Sequence, residues 1–135
     1  IENFQAASAG YMNECQRGTL WRQYCSEVVG GAGLAFDEIA YSNSLPWRTH
    51  SQGAFSEYVA QKAAENYAGP LIRELKPRVI VALGKRAGEI LSHLSMNTPP
   101  IVVWNRARAA TSGVKAERAS AARRILALVS VANVA

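Results

Sequence analysis

The chain is poor in the residues that form disulfide frameworks and metal sites. Its 135 residues include two cysteines, Cys15 and Cys25, and two histidines, His50 and His93. Two cysteines cannot make a disulfide framework, and no second cysteine pair or histidine cluster completes a metal site. We therefore expect reduced thiols, no bound metal and no cofactor.

Long apolar runs are missing as well. No uninterrupted apolar stretch approaches the roughly 20 residues that span a bilayer, and the first residues lack the basic start and apolar core of a secretory signal. A hydrophobic content of 49% fits a globular protein with its own core. We expect one domain over residues 1–135, a cytoplasmic, nucleoid or nuclear location and no membrane partner. The missing initiator methionine is compatible with truncation before the poorly defined residues 1–17.

Acidic residues are scarce in the second half of the chain. Between residues 72 and 124 there are eleven Lys or Arg and three Glu, a formal charge of +8, whereas the rest of the chain carries −3. Neutralisation of phosphates dominates nonspecific nucleic-acid affinity. The charge distribution therefore favours a nucleic-acid partner, with DNA as the first choice. The alternative is a solvated basic surface on an ordinary domain.

Apolar periodicity predicts helices that alternate with strands. Helices are expected from residue 19 to about 29, over 54–76, around Ile90 and from Glu117 onwards; strands are expected over 38–42, 79–83 and 101–104. Gly69-Pro70 is expected to kink or divide the long helix. The alternation predicts a three-layer α/β/α sandwich with a short, mainly parallel central sheet.

A ligand site is expected where the three strands end, because the carboxyl ends of parallel strands share one edge of the sheet. The three strand ends are residues 43–48, 84–86 and 105–111. They contain Asn, Trp, Lys and Arg but no Asp, Glu, Cys or closely placed His. This composition argues against paired-carboxylate hydrolysis and a conventional nucleophile triad.

Asn43 is the most specific candidate for base recognition. Its amide can donate to O4 of uracil and accept from N3–H, and cytosine offers the reverse pattern. The alternative is a strand-end Asn that caps the turn before Pro46. Trp47 and Arg48 fit stacking on a base and contact with a phosphate. A core Trp beside a surface Arg explains this pair almost as well.

Further basic residues are candidates for the nucleic-acid backbone. Lys85 and Arg86 stand at a strand-to-helix junction, where helix amides bind phosphate, although the spacing of a P-loop is missing. Arg108 lies in a loop of small and basic residues that fits close approach to phosphates or a solvated loop. His50 follows the Asn43 loop and is a weaker ligand candidate, and His93 is interpreted as structural or exposed.

Two segments carry a family resemblance. Tyr41-Ser42-Asn43-Ser44-Leu45-Pro46-Trp47-Arg48 and Leu75-Lys76-Pro77-Arg78-Val79-Ile80-Val81-Ala82-Leu83-Gly84 resemble the uracil-DNA glycosylase superfamily, with similarity over about residues 18–126. The resemblance implies a DNA-repair hydrolase of the N-glycosidic bond, in which Asn43 reads the uracil edge. The family's first motif has no counterpart before Gly18. Its His-Pro-Ser motif is replaced by Trp104-Asn105-Arg106-Ala107.

The leading hypothesis is therefore a uracil-DNA glycosylase-like domain that binds nucleic acid or a nucleobase, with divergent or absent glycosidase activity. In an active enzyme, Asn105 or Arg106 would stabilise the departing base while water attacks the sugar. One alternative is a noncatalytic protein-interaction or regulatory domain, for which exposed Trp21, Trp47 or Trp104 would be the sign. A third hypothesis is a small nucleotide-binding enzyme that uses residues 84–86.

Overall fold

The structure is a computed structural model that describes residues 26–35, 38–45 and 55–134. Two compact units divide the chain, Ile1–Ile39 and Ala40–Ala135. In the first unit, helix α1 spans Ser26–Gly31 and buries Val28 and Val29. The helix ends at Gly31, close to the predicted end near residue 29, and residues 19–25 of the predicted helix lie outside the described residues.

The second unit is an α/β fold built on a short parallel sheet, as predicted. Its elements are α2 (Glu57–Ala63), a π-helical turn (Ala64–Ala68), α3 (Gly69–Leu75), β1 (Ile80–Leu83), α4 (Lys85–Ser92), β2 (Ile101–Trp104) and α5 (Ser112–Val134). Strands β1 and β2 pair in parallel, with Ile80 opposite Ile101 and Leu83 opposite Trp104. Helix α4 makes the crossover that two parallel strands require.

Helices pack against both faces of this sheet. A Cβ atom placed on Gly88 of α4 would lie 3.3 Å from Cγ2 of Val103, so α4 covers the face that carries Val103. Because strand side chains alternate between faces, Val102 and Trp104 belong to the opposite face, where both are buried. Helix α5 also packs against β2. The result is the predicted α/β/α layering.

The hydrophobic core lies on the α4 side of the sheet. Helix α2, the π-helical turn and α3 follow one another without a break and together form the long helix. Its alanines, Ala60, Ala63, Ala64 and Ala68, pack with Ile72, Ala82, Ile90 and Leu91. Alanine has the highest helix propensity and allows another helix to approach closely. The N-cap of α2 is Ser56, whose hydroxyl oxygen accepts a hydrogen bond from the Val59 amide at 3.3 Å.

Gly69-Pro70 does not break the long helix. The chain remains helical through both residues, and the π-helical turn Ala64–Ala68 directly precedes them. The Gly69 amide donates to the Ala64 carbonyl, and a Cβ on Gly69 would lie only 3.0 Å from that oxygen. Pro70 has no amide hydrogen to donate. The helix is therefore not divided at this point but has one wide turn.

The first predicted strand was wrong, and with it the number of strands in the sheet. Residues 39–43 have no regular structure instead of forming part of a strand over 38–42, and the sheet of the described residues has two strands rather than three. Just before this segment, the Glu38 amide donates to the Ala35 carbonyl at 3.1 Å, while the Ala35 amide donates to the Glu38 carboxylate at 2.7 Å. These local bonds form a turn where the strand was expected to begin.

The last helix begins at Ser112, five residues before the predicted start at Glu117. The hydroxyl oxygen of Thr111 accepts a hydrogen bond from the Val114 amide at 3.3 Å and so satisfies one of the free amides of the first turn. Among the helices of the described ranges, none combines the length and apolar character needed to cross a membrane.

Candidate functional site

Two of the three predicted strand ends meet at one edge of the sheet. The Gly84 amide donates to the Trp104 carbonyl at 3.0 Å, which extends the ladder just beyond β1. Gly84 has a φ of +97°, and a Cβ atom there would lie 3.0 Å from Cδ of Arg106. This backbone conformation is essentially restricted to glycine. The stem of Arg106 therefore lies against Gly84, and the segments after β1 and β2 form a single surface.

Four of the predicted cationic residues belong to these two segments. Lys85, Arg106 and Arg108 are exposed, and Arg86 is half-buried. The guanidinium of Arg86 lies 4.4 Å from the centroid of the Phe55 ring, a cation–π contact that favours one placement of this charge. We call these four residues the basic edge. Its charge is held at the carboxyl end of the sheet by two adjacent backbone segments.

The first turn of α4 adds hydrogen-bond donors to the basic edge. Its N-cap is Gly84, and no side chain caps the helix. The first amides of a helix have no partner within the helix, and the helix dipole places partial positive charge there. The start of α4 therefore offers the same electrostatic preference for an anion as the neighbouring side chains.

Asn105, a predicted catalytic residue, has a structural role in the loop after β2. Its side-chain oxygen accepts from the Ala107 amide at 2.9 Å, and its Nδ2 donates to the Glu117 carboxylate at 2.7 Å. The first bond is typical of an Asx turn. One N–H and one lone pair of the amide remain for another partner. Its proposed contact with a departing base stays a prediction.

Arg118 completes this loop, and the sequence analysis missed its role. The side chain is 8% exposed. Its Nε donates to the Asn105 carbonyl at 2.9 Å, and its Nη2 donates to the Ala107 carbonyl at 2.8 Å. Arg118 stands seven residues before the buried Ile125, which helical periodicity places on the same face of α5. That spacing was the signal available in the sequence. The count of basic residues between 72 and 124 included Arg118 as a surface charge.

Trp104 lies directly before the basic edge and does not form an exposed aromatic patch. It is 1% exposed, and its Nε1 has no hydrogen-bond partner among the described residues. A buried donor without a partner costs about 1–3 kcal/mol. Trp21 and Trp47, the other residues of the predicted patch, lie outside the described residues.

Of the third predicted strand end, the structure describes residues 43–45, which form neither helix nor strand. The side chain of Asn43 is exposed, and the preceding Ser42 hydroxyl lies 2.7 Å from the Tyr67 hydroxyl. Leu45 packs against the core. These contacts attach the segment to the long helix, and base reading by Asn43 stays a prediction. Trp47, Arg48 and His50 lie outside the described residues.

Comparison with known proteins identifies no relative. No protein-family model matches the chain, and no curated protein or solved structure matches it. In the part of the chain that the structure describes, no group of three or more His, Cys, Asp or Glu side chains could hold a metal ion. The functional groups of the basic edge are cations and hydrogen-bond donors.

Proposed function

We propose that the protein is a nucleic-acid-binding domain similar to the uracil-DNA glycosylases, and that its basic edge holds the phosphates. The contact between the Arg106 stem and Gly84 carries this proposal. It supports a single surface in which the charges of Lys85 and Arg86 adjoin those of Arg106 and Arg108. A polyanion can therefore meet cations from both segments at once.

The chemistry of the edge supports phosphate as the bound group. Lys85 supplies a compact ammonium, and each arginine supplies a planar fork of donors that matches two phosphate oxygens. The nearby carboxylate of Glu117 accepts a hydrogen bond from Asn105. The formal charge of +8 between residues 72 and 124 adds longer-range attraction.

A base is proposed to contact Asn43, whose exposed amide has both donors and an acceptor. Base release is the less supported part of the proposal, because the Asn105 amide already holds the loop after β2. If release occurs, the remaining N–H of Asn105 or the Arg106 guanidinium would stabilise the departing base. DNA is the proposed partner, in a cytoplasmic, nucleoid or nuclear compartment.

Removal of two charges from the basic edge should weaken the salt dependence of DNA binding. Each phosphate contact to single-stranded DNA contributes about −0.7 to the slope of log K against log salt. The double variant Lys85→Gln with Arg106→Gln should therefore lose about one to two units of slope. The measurement is fluorescence anisotropy of a labelled oligothymidine of about 16 nucleotides, with salt varied between about 50 and 200 mM.

The control is the double variant Arg123→Gln with Arg124→Gln, which removes the same charge from exposed residues of α5. These residues lie about 16 Å along α5 from its first residue. The proposal expects a smaller loss of slope in the control. Equal losses in the two double variants would show that net charge, rather than the basic edge, governs binding.

Base release is tested on the same oligonucleotide with one uracil, scored as alkali-labile cleavage. Cleavage that Asn43→Ala abolishes would support a divergent glycosylase in which Asn43 holds the base. Salt-sensitive binding without cleavage would support a noncatalytic nucleic-acid-binding domain. Absence of both binding and cleavage would contradict the proposed function and would favour a protein partner.

A further inference from the structure

A cleft of about 310 Å³ opens between the start of α2 and the last turns of α4. Its lining residues are Phe55, Ser56, Glu57, Ala60, Glu89, Ser92 and His93. This volume lies at the lower end of the range of about 300–1,000 Å³ for ligand sites. None of its lining residues belongs to the basic edge, and the cleft therefore needs its own account.

The polar wall of the cleft is rich in hydrogen-bond acceptors. When they are ionised, the carboxylates of Glu57 and Glu89 accept hydrogen bonds and cannot donate them. Ser92 donates its hydroxyl hydrogen to the Glu89 carbonyl at 2.6 Å, which leaves both lone pairs of the hydroxyl to accept. A ligand that fits this wall must supply several donors.

The two carboxylates line the cleft from different helices, and the described part of the chain gives neither of them an ion-pair partner. Glu57 lies in the first turn of α2 and Glu89 in α4, and neither forms an ion pair with another described residue. The full chain nevertheless has a formal net charge of +5. Two like charges beside one cavity repel each other, and a bound cation would turn that repulsion into attraction.

The remaining wall is apolar and includes an aromatic ring that contacts a cation of the chain itself. Ala60 is buried, and the Phe55 ring accepts the Arg86 guanidinium at 4.4 Å from its centroid. An aromatic face binds ammonium and guanidinium groups through its quadrupole. An alkyl stem can lie against the same apolar wall while its charged head meets the carboxylates.

We propose that this cleft binds an organic cation, a guanidinium or primary ammonium on a short alkyl stem. The group can belong to a free small molecule or to an Arg or Lys side chain of a protein. Glu57 and Glu89 bind the charged head, and Phe55 and Ala60 contact the stem. This site does not depend on nucleic-acid binding at the basic edge.

The test is a titration of the whole ¹⁵N-labelled protein with three probes, followed by NMR. Agmatine represents a free cation, N-acetylarginine methylamide represents a protein side chain, and butylurea is a neutral control. We expect saturable shifts of the Ser56, Glu89 and His93 amides with at least one cation and none with butylurea. Glu57→Gln with Glu89→Gln should weaken that binding by about tenfold or more.

The matched control is Glu74→Gln, which removes one charge from an exposed residue of α3 outside the cleft. Glu89→Gln alone is the second variant, because Glu57 also interacts favourably with the start of α2. Circular dichroism verifies folding of each. Saturation by agmatine alone identifies a free cation, and saturation by the blocked arginine identifies a protein side chain. Absence of saturation, or equal affinity in the Glu89→Gln variant and the wild type, would overturn the proposal.

Discussion

Replacing Arg118 with alanine is expected to lower the free energy of unfolding by about 2–4 kcal/mol. The variant loses the two donors that satisfy the Asn105 and Ala107 carbonyls at 2.9 and 2.8 Å. A buried carbonyl left without a partner costs about 1–3 kcal/mol, and water that reaches the exposed Ala107 offsets part of this cost. Urea denaturation followed by circular dichroism measures the change.

The matched control is Arg124→Ala, which removes an exposed arginine from the same helix and should change stability by no more than about 0.5 kcal/mol. Arg118→Lys should fall between the two, because one ammonium cannot reproduce the planar fork of donors. A loss below about 1 kcal/mol in Arg118→Ala would contradict the structural role given to Arg118.

Replacing Ile90 with alanine should produce the other large effect, a loss of about 2–5 kcal/mol. Ile90 is 0% exposed and packs in the core between α4, the long helix and the sheet. The substitution removes buried methyl groups and leaves a cavity that the surrounding alanines cannot fill. The urea midpoint should fall without a change in the slope of the unfolding free energy against urea.

Ile90→Val is the graded control, with an expected loss of about 0.5–1.5 kcal/mol. Leu126→Ala removes the same number of carbon atoms from a position that is 43% exposed and should cost less than Ile90→Ala. Equal losses at Ile90 and Leu126 would show that the core is not where the structure places it.

The two strands of the sheet were predictable because each is a short, continuous apolar run between turn signals. Ile101–Trp104 matches its prediction, and β1 begins one residue later than predicted. The run at 38–42 has three apolar residues, Ile39, Ala40 and Tyr41, and lies beside a turn closed by Glu38 and Ala35. Periodicity does not reveal whether an apolar run has a partner strand, and for this reason the prediction of a strand over 38–42 was wrong.

The candidate site was predictable in its charge but not in its hydrogen bonds. Position in the sequence was enough to assign Lys85, Arg86, Arg106 and Arg108 to adjacent strand ends. The pairing of Asn105 with Glu117 depends on the true start of α5, which the sequence analysis placed five residues too late. The sequence analysis therefore did not show that the Asn105 amide also holds the loop after β2.

The cleft between α2 and α4 was not predicted, because its two carboxylates come from positions 57 and 89. Packing of the two helices brings these residues to one cavity. Part of the pattern was visible locally, since Glu89 and His93 are four residues apart and share a helix face. Nothing in the sequence indicates which other helix lies opposite that face.

The most direct test of the basic edge is NMR mapping of the whole protein with an oligothymidine of about 16 nucleotides. The account predicts that the largest amide shifts fall on residues 84–87 and 105–109, and that they diminish as salt screens the phosphates. Shifts concentrated on residues 73–78 or 123–124, which are also basic, would contradict nucleic-acid binding at this edge of the sheet.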